Sequence, residues 1–314
     1  MRLLRCGAEL EDGPVLVTGA GGFAGRRLME HLRMGEGDMA ADLTDDFPAP
    51  QGVRRVAWKL PSEAPEELGP ARYVVHLAAV SSVFRSLGDV RLTWETNLMG
   101  TLSVLRMMES RCPDARLLLV SSSEVYGPSG SPLDEDSEIG PLNPYGASKA
   151  AAELAARQTA HSGGLDLVVS RSFPHFGPGQ HRDFALPSFC RRIAEAARGG
   201  GGTVRVGNLG PVRDYLYLDD VTRAYCHLLA AGGSGETYNV CSGRGRCMGD
   251  ILGLLVEISG TDIELEVDPG LFRAADVKYQ VGDPGRLRAL TGWRPEYSLE
   301  DGLRELYAWW EERI

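Results

Sequence analysis

Tyr145 and Lys149 stand four residues apart in Tyr145-Gly-Ala-Ser-Lys149, at the start of a segment with helical character. That spacing puts phenol and ammonium on one helical face. An ammonium beside a phenol favours the phenolate, so the pair predicts a tyrosine of lowered pKa, poised as a general acid/base for a hydroxyl or a ketone. By itself such a pair is common in helices. Its weight comes from Val120-Ser-Ser-Ser-Glu-Val-Tyr-Gly127, which leaves a strand about 20 residues earlier, so both segments can converge above the C-terminal edge of a sheet. Ser122 is placed to hydrogen-bond the reacting oxygen, with Ser123 next to it. Glu124 is either a proton-abstracting base or a polar helix-start residue.

A second constellation lies near the start of the chain. Gly19-Ala-Gly-Gly-Phe-Ala-Gly25 follows an apolar strand and opens a helix, the context in which a glycine motif carries meaning. Gly19 permits a tight turn, Gly22 lets the backbone approach a pyrophosphate, and Gly25 allows close helix–strand packing, while the helix start at Phe23 and Ala24 offers N–H donors to the anion. A dinucleotide cofactor is expected, NAD(H) or NADP(H), with Tyr145 and Lys149 near its nicotinamide ribose. An acid at the end of the second strand would accept from the adenosine ribose 2′-OH and favour NAD(H). Asp42 is the candidate, although Gly37–Asp46 reads as a poor strand and Asp38 or Asp45 could take the place instead.

The elements that must position these groups alternate in the βαβ manner that predicts a parallel sheet. Expected strands are Pro14–Thr18, Tyr73–Leu77, Arg116–Ser121 and Leu165–Ser170; expected helices are Gly25 to about Met34, Leu92–Arg111 and Tyr145–His161. The fold class is α/β: a Rossmann-type doubly wound parallel sheet with a smaller C-terminal α/β substrate-binding lobe. The division is 1–172 and 173–314, with 214–242 contributing to the first part, since Thr237–Val240 can join its sheet.

Bulk properties exclude other classes. A formal net charge of −10 argues against nucleic acid as a partner. The longest apolar runs, such as Leu117–Val120, are strand-sized, far below the roughly 20 residues that cross a bilayer, and Met1–Gly13 lacks an apolar signal region. A cytoplasmic protein is expected. The six cysteines form no CxxC pair and the six histidines no HExxH spacing, so reduced thiols and no metal are expected.

Taken in order, Thr18–Gly25, His76-Leu-Ala-Ala79, Asn97 in Thr-Asn-Leu-Met-Gly-Thr, Ser122–Gly127, Tyr145–Lys149 and Arg213-Asp-Tyr resemble the extended short-chain dehydrogenase/reductase superfamily (NAD-dependent epimerase/dehydratase) over about Pro14–Trp310. The resemblance implies a nucleotide-sugar substrate. It adds Ala78 and His175 to the cofactor side, makes Asn97 either structural or a cofactor-side residue near the nicotinamide, and adds Ser82 to the substrate side. Arg171–Gln180, Val206–Leu209 with Val212–Asp214, Tyr238–Gly243, Arg273–Val277 and Thr291–Pro295 are closest to the GDP-6-deoxy-4-keto-D-mannose reductases and GDP-mannose 4,6-dehydratases. By that analogy Arg213 and Arg273 clamp the diphosphate, Asn208 lies beside it, and Asp276 accepts from the nucleotide ribose; a guanidinium fork suits phosphate oxygens.

The sequence departs from these relatives at Pro174, where an Asn is usual, which removes a side-chain amide and a backbone N–H. The resemblance favours reduction of a GDP-linked 4-keto-6-deoxy sugar. A dehydratase is the alternative, supported by Ser122-Ser123-Glu124 but lacking the basic segment expected after the second strand; an epimerase comes third. A cofactor-sensing regulator is disfavoured because Ser122, Tyr145 and Lys149 are all present. Helices Leu92–Arg111 and Tyr145–His161 commonly build a homodimer interface in this superfamily.

Overall fold

The computed structural model describes residues 1–272 and 277–314. Its centre is a seven-stranded parallel sheet. In chain order the strands are β1 (Val15–Thr18), β2 (Met39–Asp42), β3 (Arg54–Ala57), β4 (Tyr73–His76), β5 (Arg116–Ser122), β6 (Asp166–Ser172) and β7 (Thr237–Val240). They lie in the order β7-β6-β5-β4-β1-β2-β3, so the chain winds outward one way from β1 and the other way from β4. The crevice at the C-terminal ends of β1 and β4 is the switch point at which such sheets bind ligands.

Period-two alternation explains the layering. Val15, Val17, Leu118, Val120 and Val168 enter one core cluster with the Phe23–His31 and Leu218–Ala231 helices. Their strand neighbours Leu16, Leu117, Leu119, Leu167 and Val169 enter another with the Gly100–Arg111 helix. Both faces are therefore covered, as a parallel sheet requires, and each buried aliphatic side chain contributes about 1.5–3 kcal/mol.

The strand after the first helix is short but real: Met39–Asp42 pairs with β1 and ends at Asp42. Arg54–Ala57, which the sequence reading did not anticipate, forms the edge beyond it, with only Val56 buried. The expected Leu92–Arg111 helix is three pieces, Val90–Trp94, a π-helical Glu95–Met99 and Gly100–Arg111. The widened turn carries Asn97, and π-turns of this kind concentrate at functional sites.

The second lobe packs the Ala185–Arg198, Met248–Ser259 and Leu299–Glu311 helices against Gly202–Val206, which pairs in parallel with Ile263–Val267. A three-stranded patch joins Gly245–Cys247, Val212–Asp214 and Tyr279–Gln280. Between the lobes, His175–Phe176 pairs with Leu216–Tyr217. There the carbonyl of Pro174 accepts from the Leu216 N–H at 3.0 Å, so this proline serves the lobe junction through its remaining polar group.

Candidate active site

The glycine turn is dictated by space. Gly19 has φ +70°, and a Cβ there would lie 2.6 Å from the Ala78 nitrogen. At Gly25 it would lie 2.3 Å from the Gly19 carbonyl oxygen. The turn is thus folded onto itself and onto the exit of β4. At Gly22 the added carbon meets only the Gly19 oxygen, at 3.0 Å. Gly22 caps the Phe23–His31 helix with no side-chain hydrogen bond, and its first turn holds no acid. The amides of Phe23 and Ala24 therefore begin a helix whose N-terminal dipole has no anion of its own. This cradle fits a pyrophosphate.

Asp42 stands at the same crevice. Its carboxylate accepts from the Gly21 N–H at 2.8 Å and from the Leu43 N–H at 2.7 Å. Asp38 is spent elsewhere, paired with Arg2 and accepting from the Val15 N–H at 2.9 Å in full burial, and Asp45 lies beyond the strand. On the opposite side Phe23 stacks on His175 with ring centroids 6.2 Å apart and planes 4° from parallel. Burial lowers the His175 pKa, and the ring donates from Nδ1 to the Phe173 carbonyl at 3.2 Å.

Ser122 ends β5 and its oxygen accepts from the Glu124 N–H at 3.2 Å. The Pro144–Gly163 helix begins beside it. Asn143 caps that helix by accepting from the Gly146 N–H at 2.8 Å, and Pro144 takes the first-turn position where no N–H is missed. Gly146 makes the contact between helix and turn: a Cβ would sit 2.1 Å from the Glu124 carbonyl oxygen. Gly146→Ala is expected to force turn and helix apart, costing about 1–3 kcal/mol and lowering turnover; chemical denaturation and initial rates check both.

The sequence reading expected Lys149 to lower the Tyr145 pKa. The structure reverses this. Burial raises the half-buried phenol to about 12, the hydrogen bond with Ser122 opposes the rise, and the nearby Glu124 charge adds to it. Lys149 acts in another direction. Its side chain is buried, which lowers its pKa to about 8, with Glu153 one turn further on opposing the drop. Its charge and burial together push His76 down to about 3, burial being the larger cause. Neutral His76 then bridges Thr18 Oγ1 at 2.7 Å and Thr101 Oγ1 at 3.1 Å, tying β1 and β4 to the Gly100–Arg111 helix.

Other expected residues fall as follows. Asn97 is buried with its amide committed to the protein: its oxygen accepts from the Val80 N–H at 2.8 Å, and its nitrogen donates to the Val80 carbonyl at 3.2 Å and to Ser148 Oγ at 2.9 Å. It fixes the Pro144–Gly163 helix to the loop after β4. Ser82 caps the Val83–Gly88 helix, accepting from the Arg85 N–H at 3.3 Å. Arg213 lies on the Val212–Asp214 strand, and exposed Asn208 precedes it. Arg273 and Asp276 lie outside the described residues. Ser123 is buried beneath the turn.

Three groups escaped the sequence reading. Asn143 uses its second amide function to donate to Glu124 Oε2 at 2.7 Å, and Gln280 donates to Glu124 Oε1 at 3.4 Å. Beneath Lys149, Glu153 pairs with Arg171 at 2.9 Å, both nearly inaccessible, and the guanidinium also donates to the Glu135 carbonyl at 3.1 Å. An Asn-Pro start signal could have found the first; long-range partners leave no local signal. Among the described residues no group of three or more His, Cys, Asp or Glu side chains is arranged to hold a metal ion.

Residues 70–306 match the family model described as GDP-mannose 4,6 dehydratase. The chain belongs to this family of extended short-chain dehydrogenases/reductases. It is 33% identical over 304 residues to a GDP-6-deoxy-D-mannose reductase of Pseudomonas aeruginosa, spanning 96% of this chain and 98% of that one. The structure of RMD from Pseudomonas aeruginosa complexed with NADPH superposes with a TM-score of 0.83 at 32% identity, covering 96% of this chain and all of the other. The UDP-glucose 4-epimerase of Thermus thermophilus, complexed with NAD, gives a TM-score of 0.84 at 29% identity, again covering 96% and 100%. Family membership makes the chain an NAD(P)-dependent sugar-nucleotide oxidoreductase, and the cradle at Gly19–Gly25 suits that cofactor.

Proposed function

We propose that this enzyme reduces the C4 ketone of a GDP-linked 4-keto-6-deoxy sugar, GDP-4-keto-6-deoxy-D-mannose or a close relative. What supports this reading is the 33% identity to a GDP-6-deoxy-D-mannose reductase over 96% of this chain, together with Ser122 at the end of β5 beside the helix start that carries Tyr145. A reductase needs a proton donor, and the Tyr145 phenol, its pKa raised by burial, can serve as one. A reduced nicotinamide, when bound, supplies hydride to the carbonyl carbon. Ser122 donates its O–H to the carbonyl oxygen, Tyr145 delivers its proton to the same oxygen, and the ketone leaves as the alcohol. Lys149 would hold the cofactor ribose and replenish the proton.

Gly19, Gly22, Phe23, Ala24 and Gly25 would bind the pyrophosphate, with Ala78 and His175 flanking it, and Asp42 favours a free 2′-OH and hence NAD(H). Arg213, Asn208, Ser82 and Ser123 would line the sugar-nucleotide side, together with Arg273 and Asp276 from the sequence. The test incubates purified protein with GDP-4-keto-6-deoxymannose and NADH or NADPH, and separately with GDP-mannose alone. Cofactor oxidation in the first mixture is the expected result. A 4-keto product from GDP-mannose would instead establish the dehydratase reading.

We further propose a cytoplasmic homodimer. Phe84 (70% exposed), Leu87 (63%) and Leu154 (70%) present apolar surface on neighbouring helices, which single-chain folding leaves uncovered. No helix among the described residues is long and apolar enough to cross a membrane.

A further inference from the structure

We infer that Asn143 and Gln280 are positioning residues that hold Glu124 as a hydrogen-bond acceptor, so that the site reduces its 4-keto sugar without removing the proton at C5. The inference rests on the reductase reading. A C4 ketone acidifies the C–H at C5, and a carboxylate beside Tyr145 is the group that could take that proton. Here both carboxylate oxygens carry a donor: Asn143 Nδ2 on Oε2 at 2.7 Å and Gln280 Nε2 on Oε1 at 3.4 Å. Each oxygen keeps a second lone pair, but the two donors fix the plane of the carboxylate, so turning it to meet the C5 hydrogen means breaking one of these bonds.

The two amides come from different parts of the molecule. Asn143 is rigid, because its own oxygen is committed to capping the helix at Gly146. Gln280 is buried on the Tyr279–Gln280 strand of the second lobe, in register with Arg213 on the adjoining strand. One grip is therefore built into the helix that carries Tyr145. The other arrives from the strand beside Arg213, so lobe and acid site are joined through this one carboxylate.

The experiment compares the wild type with Asn143→Ser, which keeps a capping oxygen, with Gln280→Met, which keeps length and burial, and with the double variant. Each is incubated with the 4-keto-6-deoxy sugar nucleotide in D2O, and deuterium at C5 is measured against the rate of reduction. The ratio of exchange to reduction is expected to rise at least about tenfold in the double variant, and adding Glu124→Gln should abolish the gain. An unchanged ratio in a folded double variant, or a gain that survives Glu124→Gln, overturns the proposal. Crystal structures of the same variants give a readout independent of turnover. The Glu124 carboxylate should leave its wild-type position once both amides are gone, and a carboxylate that stays overturns the positioning role. Failure of the wild type to reduce the sugar would refute the proposed reaction and leave this structural readout decisive.

Discussion

Replacing Tyr145 by Phe should lower kcat/KM for the keto sugar by roughly 10²–10⁴-fold, with cofactor affinity, measured by fluorescence titration, changed far less. The substitution removes one oxygen from a half-buried ring. What disappears is the proton donor that faces Ser122, while the aromatic volume that packs the helix start remains. Because burial holds the phenol at about 12, the wild type keeps its proton across the neutral range, and no loss of rate from Tyr145 ionisation is expected below about pH 10. Turnover by Tyr145→Phe equal to wild type would show that the proton comes from elsewhere, and the proposed chemistry would have to be abandoned.

Lys149→Met should separate activity from stability. Reduction is expected to fall at least about a hundredfold, yet the folded protein should become more resistant to denaturant at pH 7. The reason is the buried ammonium, whose pKa is lowered from 10.5 to about 8. Below pH 8 both folded and unfolded chains carry the charge, and the folded state bears its full desolvation cost. Between pH 8 and 10.5 the unfolded chain binds more protons, so wild-type stability should rise with pH through this window. The shift corresponds to about 3 kcal/mol. Urea melts at pH 7 and pH 10 therefore check the sign as well as the size: the advantage of the methionine variant should be large at the first and mostly gone at the second. A variant less stable at pH 7 would mean that contacts of the ammonium, with Glu153 foremost, outweigh its burial.

Much of this site was legible in the sequence because its chemistry is local. The glycine turn, Ser122 and the Tyr145–Lys149 pair each declare themselves within a few residues, and their strand and helix settings follow from hydrophobic period. The edge of the sheet was less legible. Met39–Asp42 has four residues and Arg54–Ala57 buries only Val56, so neither shows a periodic signal strong enough to mark a strand. The misjudged Tyr145 pKa has a physical lesson. Helical spacing placed the two side chains on one face, but the charge of Lys149 is directed toward His76 and Glu153, and the phenol responds to its burial instead. The amides on Glu124 illustrate a third limit, since Gln280 is separated from it by 156 residues and nothing local links them.

The position of β7 bears on how the molecule is made. Thr237–Val240 returns from the second half of the chain to lie against β6, so the sheet is completed only after the chain has left it for residues 173–236 and come back. A nascent chain halted near residue 172 would expose the whole outer edge of β6, an open row of N–H and C=O groups ready to recruit another strand. Closing the sheet thus waits on residues 173–236, which include the Ala185–Arg198 helix and the Gly202–Val206 strand of the second lobe.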